Sequence, residues 1–163
     1  MKIFILTAML TLLMTGQVHA ETPVVGISVS LENNDLSPTQ SYINHYSKQY
    51  GVDADLITAI IGTESGGEIK AFNINNNGTH DKGLMQINSF NYEWLIKELG
   101  ITDFYSPRQN IHCGVYMIAD LMDRHTDLHT VLMAYNMGEK RTRELRLQGI
   151  YTSEYSRKVM GVY

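Results

Sequence analysis

The sequence contains two carboxylic acids, Glu64 and Asp81, whose positions would let them act together as a catalytic pair. Glu64 falls at the end of a helix-like pattern, and Asp81 follows an asparagine-rich turn that contains Asn77-Gly78. A helix end and a turn can hold two carboxyl groups on opposite walls of a cleft. Acid-assisted cleavage of a glycosidic bond requires that arrangement.

Glu64 continues the apolar spacing of a helix that begins after Asp53, a residue type that caps helices. Ile57 and Ile60 precede it at helical spacing, so Glu64 is predicted to emerge on the apolar side of the helix. A carboxyl group there is partly desolvated, and desolvation raises its pKa. The raised pKa would keep the group protonated near neutral pH, as a general acid must be. The alternative is a glutamate that simply points into water.

Asp81 is expected on a small β-hairpin. Gly66-Gly67 ends the helix of Glu64, Phe72–Ile74 predicts a short strand, and Asn77-Gly78 is a strong hairpin turn signal. The return arm would carry Asp81 toward the segment that begins at Gly83. An aspartate after a turn commonly makes only local hydrogen bonds, so this pattern alone gives Asp81 no catalytic role.

The rest of the pattern predicts a mainly α (α+β) domain over residues 37–163. Ser37, Pro38 and Gln40 favour a helix start with a capping box, and Gly51 favours its end. Asp127 is a further candidate cap. Further helices are predicted over residues 89–99, from Pro107, from Asp127 to near Gly138, from there to about Gln148, and over residues 153–159.

Residues 1–20 have the pattern of a secretory signal peptide, with Lys2 before an apolar run and Ala20 at the expected cleavage point. The run is short for a membrane anchor, which takes roughly 20 apolar residues. We therefore expect an exported protein with no stable membrane span after cleavage. Residues 21–36 are interpreted as a loosely held lead-in.

Charge and composition exclude several classes of function. The formal net charge is −4, which argues against a nucleic-acid binder. The basic residues near the end of the chain are interpreted as a solvated helix face with ion pairs, although a patch for an anionic polymer or a partner is the alternative. Cys113 is the only cysteine and is expected in the core. No metal-ligand cluster or phosphate loop is evident, so neither a metal nor a cofactor is predicted.

Four ordered motifs resemble those of lytic transglycosylases of the soluble transglycosylase type. They are Glu64-Ser65, Gly83-Leu84-Met85-Gln86-Ile87-Asn88, Asn110-Ile111 with Gly114, and Ala134-Tyr135-Asn136 with Gly138. The segment from Glu64 to Asn88 also resembles the active-site segment of animal-type lysozymes. The size and the asparagine-rich turn look most like the compact transglycosylases that accompany secretion systems and pili.

The resemblance implies a lysozyme-like fold, a helical bundle with a small β-hairpin beside a cleft. It implies a periplasmic enzyme that acts on the glycan strands of peptidoglycan and serves a secretion or pilus machine. Glu64 would be the general acid and then the base that yields a 1,6-anhydro sugar, and Asp81 would stabilise the positively charged sugar ring. The remaining motif positions would bind substrate and orient Glu64. They are Ser65, Met85, Gln86, Tyr135 and Asn136.

Two alternatives stay open beside a transglycosylase. Asp81 also suits a muramidase that hydrolyses the same bond with water, and a non-catalytic glycan-binding or assembly protein would keep the cleft. Core packing is the alternative role for Met85 and Tyr135, and backbone capping for Asn136. Secretion-system relatives often have a cysteine just before the Asn-Ile motif that forms a disulfide with one near the mature N-terminus, whereas Gln109 stands here. Packing must therefore replace that disulfide.

Overall fold

The computed structural model describes residues 37–163, and the predicted signal peptide (1–20) and lead-in (21–36) lie outside this range. Seven α-helices, three short strands and a 3₁₀ turn make up the described residues, which confirms the expected mainly helical class. The helices are α1 Pro38–Tyr50, α2 Ala54–Glu64, α3 Tyr92–Leu99, α4 Pro107–Arg124, α5 Leu128–Met137, α6 Glu139–Leu147 and α7 Glu154–Val162. The strands are β1 Phe72–Ile74, β2 His80–Lys82 and β3 Ile87–Asn88, and the 3₁₀ turn is Ser89–Asn91.

Local capping chemistry explains where α1 and α2 begin. The Ser37 hydroxyl accepts a hydrogen bond of 3.2 Å from the backbone N–H of Gln40, and a carboxylate oxygen of Asp53 accepts one of 2.7 Å from Asp55. Both caps confirm the predicted helix starts. The expected capping box at α1 is wrong in one respect. The side chain of Gln40 donates to Asn44 at 3.0 Å instead of turning back to the cap.

The hairpin of β1 and β2 belongs to an antiparallel sheet of order β1-β2-β3. Its register places Asn73 opposite Asp81, and Gly78 in the turn has the positive φ of 83° that favours glycine. The sequence missed β3, which pairs Asn88 with Asp81. It also predicted one helix over residues 89–99, but a 3₁₀ turn precedes α3.

The core lies among α1, α2, α4 and α5 and under the sheet. Ile57, Ile60, Ile118 and Leu132 are fully buried, and for Ile57 and Ile60 this agrees with the apolar spacing that predicted α2. Cys113 is also fully buried, as expected, and burial raises the pKa of its thiol to about 12. Among the helices of residues 37–163, none has both the length and the apolar character needed to cross a membrane.

An aromatic cluster fastens α1 to α4. The Tyr50 hydroxyl and Nε2 of His112 are 2.6 Å apart, and the rings of Tyr46 and His112 stack with centroids 4.4 Å apart. Gln109 closes the loop before α4, because its side-chain oxygen accepts a hydrogen bond of 2.7 Å from the backbone N–H of Thr102. The aromatic contacts between α1 and α4 can therefore hold the first helix without a disulfide.

The basic stretch near the end of the chain is partly paired, as its interpretation as a solvated face implies. Arg141 forms an ion pair with Glu144 at 3.4 Å, and Arg146 forms one with Asp127 at 3.2 Å. Exposed pairs of this kind contribute little to stability. Their main consequence is that the positive charges of Arg141 and Arg146 are partly neutralised.

Candidate active site

Glu64 is the last residue of α2 and points toward α7. Its Oε1 atom accepts a hydrogen bond of 2.6 Å from the hydroxyl of Tyr155. Burial and, to a smaller extent, the negative charge of Asp81 raise the pKa of the Glu64 carboxyl, which reaches about 7 with all contributions included. The Tyr155 hydrogen bond and the Lys158 charge act in the opposite direction. The outcome is a carboxyl group that is substantially protonated at neutral pH, as the helix pattern predicted.

Asp81 is held by amides from both neighbouring segments of the hairpin. The Asn88 side chain on β3 donates to Oδ1 at 2.6 Å, and the Asn75 side chain after β1 donates to Oδ2 at 2.9 Å. Both amides also reach the hydroxyl of Thr79, at 3.0 and 3.1 Å. The carboxylate therefore has a fixed orientation. The asparagine-rich turn supplies Asn75 and β3 supplies Asn88, although the sequence did not identify either residue as a partner of Asp81.

A single cleft of about 1120 Å³ contains both acids. The hairpin forms one wall with Asn73 and Asp81, and the end of α5 contributes Tyr135 and Asn136. A cavity lined by this many amide side chains suits a polymer rich in hydroxyl and acetamido groups. A protonated carboxyl and a fixed carboxylate facing the same space can perform acid-assisted cleavage of a glycosidic bond.

The structure brings three of the five expected substrate-binding residues to the cleft, namely Gln86, Tyr135 and Asn136. Gln86 has a positive φ of 47°, and its side-chain amide donates to the backbone oxygen of Gly83 at 2.9 Å. The Tyr135 hydroxyl donates to the backbone oxygen of Met85 at 2.8 Å. Asn136 is exposed, so its amide is available to a ligand.

Ser65 and Met85 are not among the residues that line the cleft. The Ser65 hydroxyl donates to the backbone oxygen of Leu84 at 2.8 Å, which ties the end of α2 to the following loop. Met85 is 0% exposed and packs against Gly114, where an added Cβ would come within 2.3 Å of the Met85 sulfur. For Met85, core packing is therefore the role that this placement supports, and the prediction of a substrate-facing side chain is corrected.

Asn110 is a buried anchor for the same loop. Its side-chain oxygen accepts a hydrogen bond of 2.8 Å from the backbone N–H of Met85. Its amide donates to the backbone oxygens of Lys82 and Phe104, both at 2.8 Å. These bonds account for the asparagine of the third sequence motif, Asn110-Ile111 with Gly114. They fix the loop that runs from Asp81 to Gln86.

Sequence reasoning missed Tyr155 as a functional residue. It lies on α7, where the sequence indicated only a short final helix. No local pattern could link it to Glu64, because the packing of α7 on α2 creates the contact. Within residues 37–163, no group of three or more His, Cys, Asp or Glu side chains is arranged to hold a metal ion.

The sequence of this chain is similar to those of known proteins. The family described as transglycosylase SLT domain matches residues 41–152. A protein named transglycosylase from Enterobacteria phage PRD1 is 33% identical over 70% of this chain and 38% of its own length. Protein IpgF from Shigella flexneri is 32% identical over 56% of this chain and 61% of its own length. The chain thus spans less than two thirds of the length of either relative.

A solved structure shares the fold. The X-ray structure of an inactive mutant of lytic transglycosylase Slt from Pseudomonas aeruginosa superposes with a TM-score of 0.59 and 20% sequence identity. The match covers 76% of this chain and 22% of that one. It confirms the fold expected from the sequence, with helices around a cleft and a small sheet beside it.

Proposed function

Because the chain belongs to the transglycosylase SLT domain family, we propose that it is a peptidoglycan lytic transglycosylase. It cleaves the β-1,4 bond between N-acetylmuramic acid and N-acetylglucosamine and leaves a 1,6-anhydro-N-acetylmuramic acid end. The observation that carries this proposal is Glu64, a carboxyl group in the cleft with a pKa of about 7 and a tyrosine hydroxyl as its partner. A group of that pKa can both give and take a proton near neutral pH.

The first step breaks the glycosidic bond. Protonated Glu64 donates its proton to the glycosidic oxygen, and the bond from that oxygen to C1 of the muramic acid breaks. Positive charge develops on C1 and the ring oxygen. The carboxylate of Asp81, oriented by Asn75 and Asn88, stabilises that charge across the cleft.

The second step closes the new ring. Glu64, now a carboxylate, accepts the proton of the muramic C6 hydroxyl while the C6 oxygen bonds to C1. The acid is regenerated and no water is consumed. The Tyr155 hydroxyl donates to Oε1 of Glu64, so it stabilises the carboxylate in the interval between the two proton transfers.

Hydrolysis is the second candidate, and Asp81 is the observation that favours it. A second carboxylate in the cleft can support attack by water in place of the C6 hydroxyl. The two reactions leave different ends on the same strand. A hydrolysed strand ends in reducing N-acetylmuramic acid, and a transglycosylated strand ends in the anhydro sugar, which is lighter by one water.

Digestion of purified peptidoglycan tests the proposal, with the products identified by mass spectrometry. We expect anhydro ends from the wild type and a loss of rate of about 10²–10⁴-fold in Glu64→Gln, because the amide cannot transfer the proton. Glu68→Gln, at an exposed glutamate in the turn after α2, is the control and should keep wild-type activity. Reducing ends would assign hydrolysis. Intact strands with the wild type would leave only the non-catalytic glycan-binding alternative.

We also propose that the protein is exported to the periplasm and acts there with a secretion or pilus machine. Export rests on the signal-peptide pattern of residues 1–20, and the machine rests on the resemblance to compact members of the family. Cell fractionation with mass analysis of the mature protein tests the first part. We expect a periplasmic form that begins at Glu21. A cytoplasmic protein that retains Met1 would contradict it.

A further inference from the structure

The β1–β2 hairpin presents two different faces. Asn73 and Asp81 stand opposite each other in the register, and both line the cleft. Side chains alternate along a strand, so the neighbouring cross-strand pairs lie on the other face. Those pairs are Phe72 with Lys82 and Ile74 with His80.

The second face carries apolar surface that the fold does not bury. Phe72 is 51% exposed and Ile74 is 70% exposed. The ring centroids of Phe72 and His80 are 5.5 Å apart, and Ile74 lies opposite His80 in the register. Phe72, His80 and Ile74 therefore form one continuous patch. We name it the outer hairpin face, and define it as Phe72, Ile74, His80 and Lys82 with the adjoining Lys70 and Tyr105.

The outer hairpin face is positively charged. The ammonium groups of Lys82 and Lys70 lie 5.3 and 4.9 Å from the centre of the Tyr105 ring. Neither lysine takes part in an ion pair within residues 37–163. The carboxylates of Glu68 and Asp103 lie nearby in the chain and accept hydrogen bonds from the backbone N–H groups of Lys70 and Tyr105, and neither forms an ion pair with these lysines. Two cations held over an aromatic ring are thus offered to a ligand of opposite charge.

The same face borders an open sheet edge. β1 is an outer strand of the sheet. The backbone pairs Gly83 with Ala71 at 2.9 Å and Asn75 with Thr79 at 2.8 Å. In an antiparallel ladder, residues alternate between bonding inward and outward. The N–H and C=O groups of Phe72 and Ile74 therefore point away from β2.

We propose that the outer hairpin face and the free edge of β1 bind an extended segment of a partner protein. The segment adds as a fourth strand beside Phe72 and Ile74. It carries apolar side chains at alternate positions and carboxylates that meet Lys70 and Lys82. A lipid surface would make no use of the free backbone groups at the edge. Binding here leaves the opposite face, with Asp81, open to the glycan.

Selection from a displayed library of random peptides tests the proposal. Selection on the wild type, with counter-selection on the double variant Phe72→Ser/Ile74→Ser, should enrich peptides that alternate apolar residues and contain Asp or Glu. When such a peptide binds, hydrogen exchange should slow at the amides of Phe72 and Ile74. It should not change at Asn73, whose amide already faces β2.

The controls separate binding from folding. The double variant should bind the peptide at least about tenfold more weakly, a change of about 1.4 kcal/mol. It should still unfold cooperatively and close to the wild-type temperature, because Ile74 is largely exposed and Phe72 about half exposed. Leu147→Ser is a matched control on α6, where Leu147 is 83% exposed, and should bind normally. The proposal is overturned if no peptide is enriched, if the enriched peptides lack acidic residues, or if Asn73 is protected instead. Binding to phosphatidylglycerol vesicles that is lost in the double variant would also overturn it.

Discussion

The hydroxyl of Tyr155 donates a 2.6 Å hydrogen bond to Glu64 across 91 positions of the chain. Burial raises the pKa of Glu64, and this hydrogen bond lowers it. Burial also raises the pKa of Tyr155 itself, so the phenol remains a neutral donor. The contact therefore sets how readily Glu64 releases a proton, and it links α7 to the chemistry of α2.

Tyr155→Phe should move the pH profile of cleavage toward higher pH. Loss of the hydroxyl removes a group that lowers the Glu64 pKa, so the carboxyl stays protonated to higher pH and the alkaline limb shifts upward. The rate at neutral pH should also fall, by about tenfold, because the intermediate carboxylate loses a charge-assisted hydrogen bond worth roughly 1.5 kcal/mol. Initial rates on peptidoglycan between pH 5 and 9, a range about two units either side of that pKa, measure both effects.

The matched control for this substitution is Tyr151→Phe, at an exposed tyrosine on the loop before α7. Its profile should overlie that of the wild type. A Tyr155→Phe profile with an unmoved alkaline limb would show that the hydrogen bond does not tune Glu64.

Asp81→Asn should shift the alkaline limb of the pH profile of cleavage toward lower pH. The charge of Asp81 raises the Glu64 pKa, so its removal lowers that pKa and narrows the active range from the alkaline side. The rate should fall by about 10²–10³-fold, as when an electrostatic partner of the transition state is removed. Asp123→Asn, at an exposed aspartate of α4, should alter neither quantity. An upward shift would contradict the assigned electrostatic coupling.

Asn110→Ala should destabilise the protein by about 2–4 kcal/mol, because several buried backbone groups lose their hydrogen-bond partner at once. Chemical denaturation measures the free energy of unfolding. Cleavage should also slow, since Asn110 holds the loop between Asp81 and Gln86. Asn76→Ala, at an exposed position of the hairpin, should cost less than about 0.5 kcal/mol. Equal costs at the two positions would refute the anchoring role.

His112 should make stability dependent on pH. Burial and the nearby charge of Arg108 lower the pKa of His112 below its usual 6.5, so the unfolded chain binds the proton more readily than the folded one. The stabilisation is fully present above about pH 6.5 and is lost as the pH falls toward the folded-state pKa. Denaturation of the wild type and of His112→Gln at pH values across this interval measures the contribution of His112 to the free energy of unfolding. The difference in unfolding free energy between them should shrink at low pH, and parallel curves would contradict it.

Local signals account for most of the elements that the sequence predicted. Ser37 and Asp53 cap their helices because short polar side chains reach backbone N–H groups two or three residues ahead. The apolar spacing from Ile57 to Ile60 places Glu64 on the buried side of α2. These relationships lie within one or two helical turns, so the sequence contains them directly.

The features that the sequence missed depend on distant packing. Tyr155 meets Glu64 only when α7 docks on α2, and Asn110 reaches the backbone of Met85 only when α4 passes beneath the hairpin loop. β3 is too short for a periodic signal, and its pairing with β2 defines it. The burial of Met85 follows from Gly114, which leaves no side chain of its own in the space that the Met85 sulfur fills.

The position of Tyr155 on α7 also sets the order in which the site is completed. A ribosome makes Glu64 long before Tyr155, and an unfinished chain holds the acid without the phenol that steadies its charge. Because α7 packs on both α2 and α5, Glu64 gains its hydrogen-bond partner only when nearly all of the described chain is present. The proposed active site therefore reaches its final form only in a nearly complete chain, after the hairpin and the four helices of the core are available.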